Sequence, residues 1–316
     1  MCAHSWRKYD PHRRRPSGCL VTASRTRGGF ATGALKVHSS PAAIAPVTRA
    51  LRAAGRRVLL IPTMGALHEG HRELIRHARM TPGSTVIAVS IFVNPLQFGP
   101  SEDLSRYPRP LEADLEACRE EGVELVFTPQ VEDMYPDGAG ADSGTTIVPG
   151  RLADQLEGTV RPGHFAGVLT VVAKLFHIIG PDVAFFGEKD YQQLILVKKM
   201  ARDLDFPVHV VGVPTVREAD GLALSSRNVY LSPEDRVRAA TLQRALAAGA
   251  SVSVRGPQAV LAAARDVLAQ EPTIDVEYLE LRDPDLGPVP AEGPARLLVA
   301  ARLGTTRLID NVAVRF

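Results

Sequence analysis

Two histidines stand three residues apart in the segment Pro62–His71. This segment follows the apolar run Val58–Ile61 and precedes an amphipathic stretch that ends at Met80, an order that predicts strand, turn and helix. A helix N-terminus offers free N–H groups and the positive end of a dipole, so it can bind the phosphates of a nucleotide. Gly65 and Gly70 permit close approach of the backbone. The leading hypothesis from this segment is a nucleotide-using enzyme.

Other interpretations of His68 and His71 remain open at this point. A histidine near a turn can be a surface residue or a helix cap. A zinc site is a second alternative, but zincins place their histidines four apart in H-E-x-x-H, whereas these two are three apart. We therefore predict no metal site built from protein side chains.

Length and charge bound the class of protein. The chain has 316 residues, 45% of them hydrophobic, enough for one large domain or two of ordinary size. The most apolar segment, Val168–Ile179, is interrupted by Lys174 and His177, so we predict no membrane helix and no membrane partner. The formal charge is +2, but residues 1–35 carry seven basic groups against one acid, which leaves −4 for the rest. A slightly acidic body has no general attraction to nucleic acid, so none is predicted as a partner.

Residues 1–35 differ from the rest of the chain. They show no helical or strand period and are rich in Arg, Ser, Gly and Pro, which predicts a disordered basic head. A targeting peptide is the alternative, although an apolar or amphipathic core is missing, and a functionless extension from an upstream start is the preferred interpretation. Cys2 and Cys19 lie in this head and only Cys118 lies beyond it, so no disulfide framework is predicted and a reducing cytoplasm fits.

Apolar runs and helical segments alternate from Val58 to Val213. The runs that predict strands are Val58–Ile61, Thr85–Val93, Val123–Phe127, Val183–Phe186 and Val208–Val213. The segments that predict helices are His71–Met80, Leu111–Glu121, His164–Ile179 and Tyr191–Leu204. This alternation predicts a Rossmann-like α/β domain over residues 36–214, with a doubly wound parallel sheet. Ligands bind at the carboxyl ends of such strands, so the polar clusters that follow three of them should converge.

A smaller α+β domain is predicted over residues 215–316. The segment Ser232–Asp235 combines a hydroxyl cap, proline at the first helical position and acids in the first turn, a strong helix start. The remaining candidates are a helix that continues to about Ala250, a helix Gln258–Ala269, and strands Val276–Leu281, Arg296–Ala301 and Thr306–Val314.

Two further clusters are suited to phosphate. Gly187–Asp190 follows a strand and opens a helix, so its N–H groups and the Lys189 ammonium can face phosphate oxygens, although a solvated first helical turn is the alternative. Leu224–Arg227 suits a mobile phosphate clamp, but taken alone it is better explained as a plain polar loop. Gln97 and Gln193 each offer an amide that could hold a small polar substrate or lie on the surface.

Some patterns are undecided or missing. Arg161 and His164 begin the most apolar helix, and the sequence does not decide between a phosphate contact and a helix cap. Neither G-x-S-x-G nor G-x-x-x-x-G-K-[ST] occurs, which disfavours a triad hydrolase and a P-loop protein.

Five ordered motifs resemble the pantothenate synthetase (pantoate–β-alanine ligase) family. They are P-T-M-G-A-L-H-E-G-H, V-S-I-F-V-N-P-L-Q-F, R-P-G-H-F-A-G-V, F-F-G-E-K-D-Y-Q-Q and D-G-L-A-L-S-S-R-N, and the resemblance covers roughly residues 36–316. It implies a cytoplasmic, usually homodimeric enzyme of coenzyme A precursor biosynthesis that joins (R)-pantoate to β-alanine through a pantoyl adenylate. ATP is then a substrate, and AMP and pyrophosphate are released. The family belongs to the nucleotidylyltransferase superfamily, whose H-x-G-H signature is shared with class I aminoacyl-tRNA synthetases.

The resemblance also implies roles for individual residues. His71 takes the place of a proton donor, with His68 beside it, and we expect Lys189 to join them in stabilising charge on the phosphates. Gln97 and Gln193 match residues that hold pantoate, and Gln97 also matches a β-alanine contact. The positions that match ATP-binding residues are Met64, Gly65, Ala66, Leu67, His68, Glu69, Gly70, His71, Gly187, Glu188, Lys189, Asp190, Val216, Leu224, Ser225, Ser226 and Arg227. We expect Mg²⁺ to be held mainly by the ATP phosphates, and residues 215–316 to act as a lid against water.

Three other functions stay open on sequence grounds. A nucleotidylyltransferase that makes a dinucleotide cofactor would share the fold, and only its product would differ. A tRNA-charging or nucleic-acid-binding protein would share the histidine turn, but the charge of −4 and the lack of an anticodon-sized appendage count against it. A non-catalytic nucleotide sensor has no specific feature in its favour.

Overall fold

The computed structural model describes residues 34–99, 102, 104–139 and 144–316. The predicted disorder of the basic head concerns residues that lie almost entirely outside this description. From residue 34 onward the chain belongs to one compact unit. The predicted division into domains 36–214 and 215–316 is not tested by this grouping and stays a prediction.

Within the described residues, six parallel strands form the first sheet, in the order β1-β4-β3-β2-β5-β6. Its strands are β1 Lys36–His38, β2 Arg57–Thr63, β3 Thr85–Ile91, β4 Leu125–Phe127, β5 Val183–Gly187 and β6 His209–Val213. The chain adds β3 and β4 on one side of β2, then β5 and β6 on the other. The winding therefore switches direction between β2 and β5, where the ligand crevice of such sheets lies. This sheet confirms the predicted Rossmann-like fold.

Helices cover both faces of the parallel sheet. They are α1 Pro41–Ala53, α2 Glu69–Arg79, α3 Leu111–Glu120, α4 Val131–Met134, α5 Glu157–Val160, α6 His164–Ile179 and α7 Tyr191–Asp203. Leu59 belongs to the core that contains Ile75 of α2, whereas Leu60 belongs to the core that contains Phe176 of α6 and Leu194 of α7. Successive strand side chains point to opposite faces, so one apolar run supplies both cores.

Two elements at the start of the sheet were not predicted. Strand β1 has three residues, of which only His38 is not exposed, so it has no apolar run to mark it. Helix α1 contains Pro46, a residue that disfavours the interior of a helix. The predicted helix at His71 begins two residues earlier, at Glu69.

The C-terminal part confirms the predicted smaller α+β unit. It begins with two helices, α8 Pro233–Ser251 and α9 Pro257–Leu268. Three antiparallel strands follow, namely β7 Asp275–Arg282, β8 Pro294–Leu303 and β9 Thr306–Arg315. Its core includes Leu242 and Leu246 of α8 and Leu297 of β8. The predicted helix start is present, since the Ser232 hydroxyl accepts a hydrogen bond from the backbone N–H of Asp235 at 3.1 Å.

A small apolar cluster joins this part to the parallel-sheet part. Tyr191 and Ile195 of α7 pack there with Leu298 of β8, together with Leu156 and Leu286. The C-terminal sheet therefore lies against the start of α7, the helix that follows β5.

Candidate active site

The turn between β2 and α2 places both histidines at the start of the helix. His68 caps α2, because its Nδ1 accepts a hydrogen bond from the backbone N–H of Gly70 at 3.1 Å. The Nδ1 of His71 accepts from the backbone N–H of His68 at 3.3 Å, and the two ring centroids are 4.1 Å apart. Since each Nδ1 is an acceptor, the hydrogen bonds assign the proton of each neutral imidazole to Nε2. Each histidine then offers one N–H donor from a fixed position.

Both imidazoles are neutral near pH 7. Burial lowers the pKa of His71 to about 3, and the adjacent His68 adds to this shift while Asp190 opposes it. Burial also lowers the pKa of His68, and the Lys189 ammonium adds to that shift. The pair therefore supplies hydrogen-bond donors for phosphate oxygens, without positive charge of its own. The role of His71 as a proton donor stays a prediction.

The shape of the histidine turn depends on Asp114 of α3. Its buried carboxylate accepts the backbone N–H of Ala66 at 2.9 Å and that of Leu67 at 2.7 Å. Burial raises the pKa of Asp114, and these two hydrogen bonds oppose the rise. Gly65 has a φ of +86°, and a Cβ added there would lie 2.9 Å from the Asp114 carboxylate. Asp114 was not identified from the sequence, where its only local signal is an acid beside the residues Leu115 and Cys118, which are buried in the structure.

The second wall of the site is the turn that follows β5. The chain passes through the 3-10 turn Glu188–Asp190 and enters α7 directly. Because β5 pairs in parallel with β2, this turn lies at the same edge of the sheet as the histidine turn. Lys189 lines the same cavity as His68 and His71, and its ammonium is close enough to His68 to lower the pKa of that imidazole.

Gln97 follows β3 and has a fixed side-chain orientation. The Tyr135 hydroxyl donates to Asn94 Oδ1 at 2.8 Å, so the Asn94 amide nitrogen is turned toward Gln97 Oε1 at 3.2 Å. The Gln97 amide nitrogen consequently points toward the Met64 sulfur, at 2.9 Å, and the cavity. Gln193 lines the same cavity from α7. Tyr135 was not identified from the sequence.

Residues 224–227 continue from a short hairpin. The backbone N–H of Leu224 donates to the carbonyl of Val216 at 3.0 Å, which pairs two of the predicted ATP-binding residues. The Ser225 hydroxyl accepts from the backbone N–H of Arg227 at 3.2 Å and caps the 3-10 helix that follows. The loop is therefore ordered by its own hydrogen bonds, and it lies beside the histidine turn, since a Cβ added at Gly70 would be 3.9 Å from Leu224 Cβ.

These segments line one cavity of about 210 Å³. The predicted site residues that line it are Met64, His68, Gly70, His71, Gln97, Gly187, Lys189, Asp190, Gln193, Val216, Leu224, Ser225, Ser226 and Arg227. A neighbouring cavity of about 620 Å³ extends to β9 and shares five lining residues with the first, namely Lys189, Asp190, Gln193, Ser225 and Arg227. The predicted residues that line neither cavity are Gly65, Ala66, Leu67, Glu69 and Glu188. The structure thus brings together three sequence motifs and both glutamines.

The basic pair at the start of α6 supports Gln97. Arg161 donates to the Glu102 carboxylate at 2.8 and 2.6 Å. The His164 Nδ1 donates to the backbone carbonyl of Gln97 at 2.8 Å, and its Nε2 accepts from Arg161 at 3.0 Å. Burial lowers the pKa of His164 to about 4, and the Arg161 cation adds to the shift. Both residues therefore brace the turn that carries Gln97, and both also line the larger of two neighbouring cavities.

Two findings concern only the described ranges of the chain. Among these residues no helix has the length and apolarity needed to cross a membrane. In the same residues no group of three or more His, Cys, Asp or Glu side chains is placed to hold a metal ion.

The fold and the site define a class of protein. A parallel sheet carries two turns suited to phosphate at its switch point, with hydrogen-bond donors and an ammonium group around one cavity, which is the architecture of a nucleotide-binding α/β enzyme. The model of the Pantoate-beta-alanine ligase family matches residues 36–313. The chain belongs to this family and is a ligase.

Related proteins agree with this assignment. The pantothenate synthetase of Mycolicibacterium smegmatis is 63% identical over 294 residues, which cover 93% of this chain and 92% of that protein. The crystal structure of pantothenate synthetase from Thermus thermophilus is similar with a TM-score of 0.79 and 49% identity, covering 88% of this chain and 99% of that one. The crystal structure of pantoate-beta-alanine ligase from Francisella tularensis, complexed with beta-gamma ATP and β-alanine, is similar with a TM-score of 0.73 and 32% identity. The match covers 88% of this chain and 97% of that chain.

Proposed function

We propose that this chain condenses (R)-pantoate with β-alanine to form pantothenate, using ATP and releasing AMP and pyrophosphate. The observation that carries the proposal is the convergence of the histidine turn, the Lys189 turn and residues 224–227 on one cavity with two glutamines. The first three suit a polyphosphate, and the amides of Gln97 and Gln193 suit a small hydroxy acid. Membership of the ligase family and the ATP and β-alanine bound by the Francisella tularensis enzyme support the same assignment.

The reaction needs an activated acid, because a carboxylate has no good leaving group for attack by an amine. In the first step a pantoate carboxylate oxygen attacks the α-phosphorus of ATP in line. A new P–O bond forms while the bond between the α-phosphorus and the bridging oxygen breaks, and pyrophosphate leaves with that electron pair. The product is pantoyl adenylate, a mixed anhydride.

In the second step the neutral amine of β-alanine attacks the carbonyl carbon of the adenylate. The C–N bond forms, the C–O bond to AMP breaks, and the surplus proton of the amine goes to the phosphate of the departing AMP. Water would hydrolyse the same intermediate, so the site must exclude it. A lid formed by residues 215–316 would meet this need, and that role belongs to the proposal.

Charge stabilisation on the phosphates is assigned to His68, His71 and Lys189. The two Nε2–H groups donate to phosphate oxygens, the ammonium supplies a point charge, and the N-terminus of α2 adds the positive end of the helix dipole. A bound polyphosphate raises the pKa of a nearby imidazole. Binding of ATP therefore shifts His71 toward the proton-donor role that the family resemblance implies.

Three further features belong to the proposal. ATP enters as its magnesium complex, with Mg²⁺ held mainly by phosphate oxygens, because this ion prefers oxygen ligands and keeps several waters. The enzyme is a cytoplasmic homodimer, as the family resemblance implies. Light scattering on the purified chain tests the dimer, and a particle with the mass of a single chain contradicts it.

Isotope exchange tests the adenylate. With ATP, Mg²⁺ and pantoate but no β-alanine, label from pyrophosphate should appear in ATP, and free AMP should accumulate only when both acid and amine are present. Absence of exchange contradicts the adenylate intermediate. A stable adenylylated product in place of AMP would instead indicate a nucleotidylyltransferase that makes a dinucleotide.

A further inference from the structure

Asp310 and Asn311 are adjacent in β9 and contact both parts of the site proposed to bind phosphates. Each is only 4% exposed, although both are polar. We propose that these two residues are positioning residues, which hold the Lys189 turn and the hairpin before Ser225 in the arrangement that binds ATP. This inference rests on the proposed function and adds a role for strand β9.

Asn311 fixes the peptide units on both sides of Lys189. Its side-chain nitrogen donates to the backbone carbonyl of Glu188 at 2.9 Å and to that of Lys189 at 3.0 Å. These two carbonyls belong to the peptide planes that flank the Lys189 Cα atom, so they determine the direction in which the lysine side chain leaves the backbone. The 3-10 turn and α7 have no side-chain cap of their own. Asn311 therefore holds the turn through its carbonyl groups, from a distant strand, in a part of the chain where no side chain caps the backbone N–H groups.

The orientation of the Asn311 amide is itself determined. Arg296 donates from Nη1 to Asn311 Oδ1 at 3.1 Å, and arginine has no acceptor, so the amide nitrogen must face the Lys189 turn. The Arg296 guanidinium is held in turn by the Tyr191 ring, whose centroid is 3.9 Å away, and by the Glu188 carboxylate at 3.4 Å. Each group in this chain of contacts has one orientation that satisfies its neighbours.

Asp310 fixes the second segment through Arg217. The carboxylate accepts two hydrogen bonds from this guanidinium, at 2.6 and 2.9 Å. Arg217 lies between Val216 and Leu224 in the hairpin, and it also donates to the carbonyl of Gly221 at 3.0 Å. A bidentate pair with a buried carboxylate fixes both position and orientation. The start of residues 224–227 is therefore anchored on β9.

One dipeptide thus links two segments that line the same cavity. Their relative position matters, because displacement of a catalytic group by about 1 Å can lower a rate by about 100-fold. The parallel sheet holds the start of the Lys189 turn, because β5 ends at Gly187, but residues 224–227 lie well beyond the end of β6 at Val213. The contacts of Asp310 and Asn311 supply this missing link.

Asn311→Asp tests the inference, because it preserves shape while replacing the donating amide nitrogen with an oxygen. We expect kcat/KM for ATP in pantoate-dependent pyrophosphate exchange to fall at least about tenfold. KM for β-alanine in the full reaction should stay within about twofold of the wild-type value. Arg217→Lys keeps the charge but loses the bidentate geometry, so it should lower kcat/KM for ATP in the same way.

Thr170→Val is the matched control. It removes a hydrogen bond of similar length, from the backbone N–H of Ile147 to the buried Thr170 hydroxyl at 2.9 Å, and it keeps the shape of the side chain. Thr170 lies in α6 and lines neither cavity. The ATP kinetics of this variant should therefore equal those of the wild type, even where its melting temperature falls.

The outcomes separate this inference from the proposed function. Unchanged ATP kinetics in Asn311→Asp, with or without a lower melting temperature, overturn the positioning role while wild-type exchange still supports the ligase. If Asn311→Asp does not fold, Asn311→Ala removes the same donors without adding a carboxylate, and the same comparison applies. Absence of exchange in the wild-type chain overturns both conclusions.

Discussion

At the scale of single residues, the chemistry of His68 and His71 is determined by which ring nitrogen each leaves available. Both Nδ1 atoms accept backbone N–H groups, so both Nε2 atoms are donors. Burial keeps both rings neutral by lowering their pKa values. The contribution of each histidine is therefore a directed hydrogen bond, which is lost with the ring.

Replacing His71 by alanine should lower kcat/KM by about two or more orders of magnitude, because a donor aimed at developing charge is removed. The measurement is AMP release with saturating pantoate and β-alanine. His177→Ala is the control, since His177 is exposed on α6 and lines neither cavity. Near-normal turnover in His71→Ala would leave this histidine as a helix-capping residue only.

The stability of the fold should decrease as the pH drops below about 6.5. Burial holds the folded pKa of His71 at about 3 and that of His164 at about 4, both below the ordinary value of 6.5. Between the folded pKa values and pH 6.5, the unfolded chain binds more protons than the folded chain. The stability that the two neutral histidines contribute is therefore fully present above pH 6.5, and it is lost as the pH falls toward their folded pKa values. Between about pH 7.5 and about pH 5.5 each histidine should contribute a loss of about 1 kcal/mol.

Thermal unfolding at the two pH values checks this expectation. The decrease in melting temperature should be smaller in His71→Asn than in the wild type, because one of the buried neutral imidazoles is gone. An equal decrease in both proteins would mean that His71 does not titrate in this way.

At the scale of elements, local patterns predicted the strands and turns that carry the site. Apolar runs marked β2, β3 and β5, and the polar residues after them form the cavity wall. Strand β1 and helix α1 were missed, since one is very short and the other contains Pro46. Both lie away from the cavity, so the prediction of the site did not depend on them.

Residues that support a turn from a distant element were not predicted. Asp114 lies 47 residues from Leu67, and Asn311 lies 122 residues from Lys189. Spacing along the chain carries no signal for such contacts, which arise only when the fold is complete. The sequence therefore predicts groups proposed to touch substrate better than it predicts the groups that hold them in place.

Asp114→Asn tests the support that α3 gives to the histidine turn. An amide has one acceptor oxygen, so either the Ala66 or the Leu67 N–H group should lose its partner, at a cost of about 1–3 kcal/mol of stability. We expect kcat/KM for ATP to fall about tenfold, since the turn loses its shape. Glu116→Gln on the exposed face of the same helix is the control. Full activity in Asp114→Asn would show that the turn keeps its shape without the second hydrogen bond.

At the scale of the whole molecule, the two sheets share one site. Asp310 and Asn311 of β9 line the larger cavity, and the apolar cluster around Tyr191 packs the C-terminal part against α7. A part that only covered the site would need few such fixed contacts. The lid role of residues 215–316 stays a prediction. A closing movement that separates β9 from the Lys189 turn would have to break the hydrogen bonds of Asn311.

The basic head lies outside the family match, and removing it should leave the enzyme intact. The family match begins at residue 36, and every predicted site residue lies beyond that point. A chain that starts at residue 34 should keep kcat/KM within about twofold and, with a net charge of −4, should not be retained on a nucleic-acid column at moderate salt. Loss of activity would make the head part of the enzyme. Retention of the shortened chain would restore the tRNA-charging alternative, because the binding would then have to come from a local basic patch on the body.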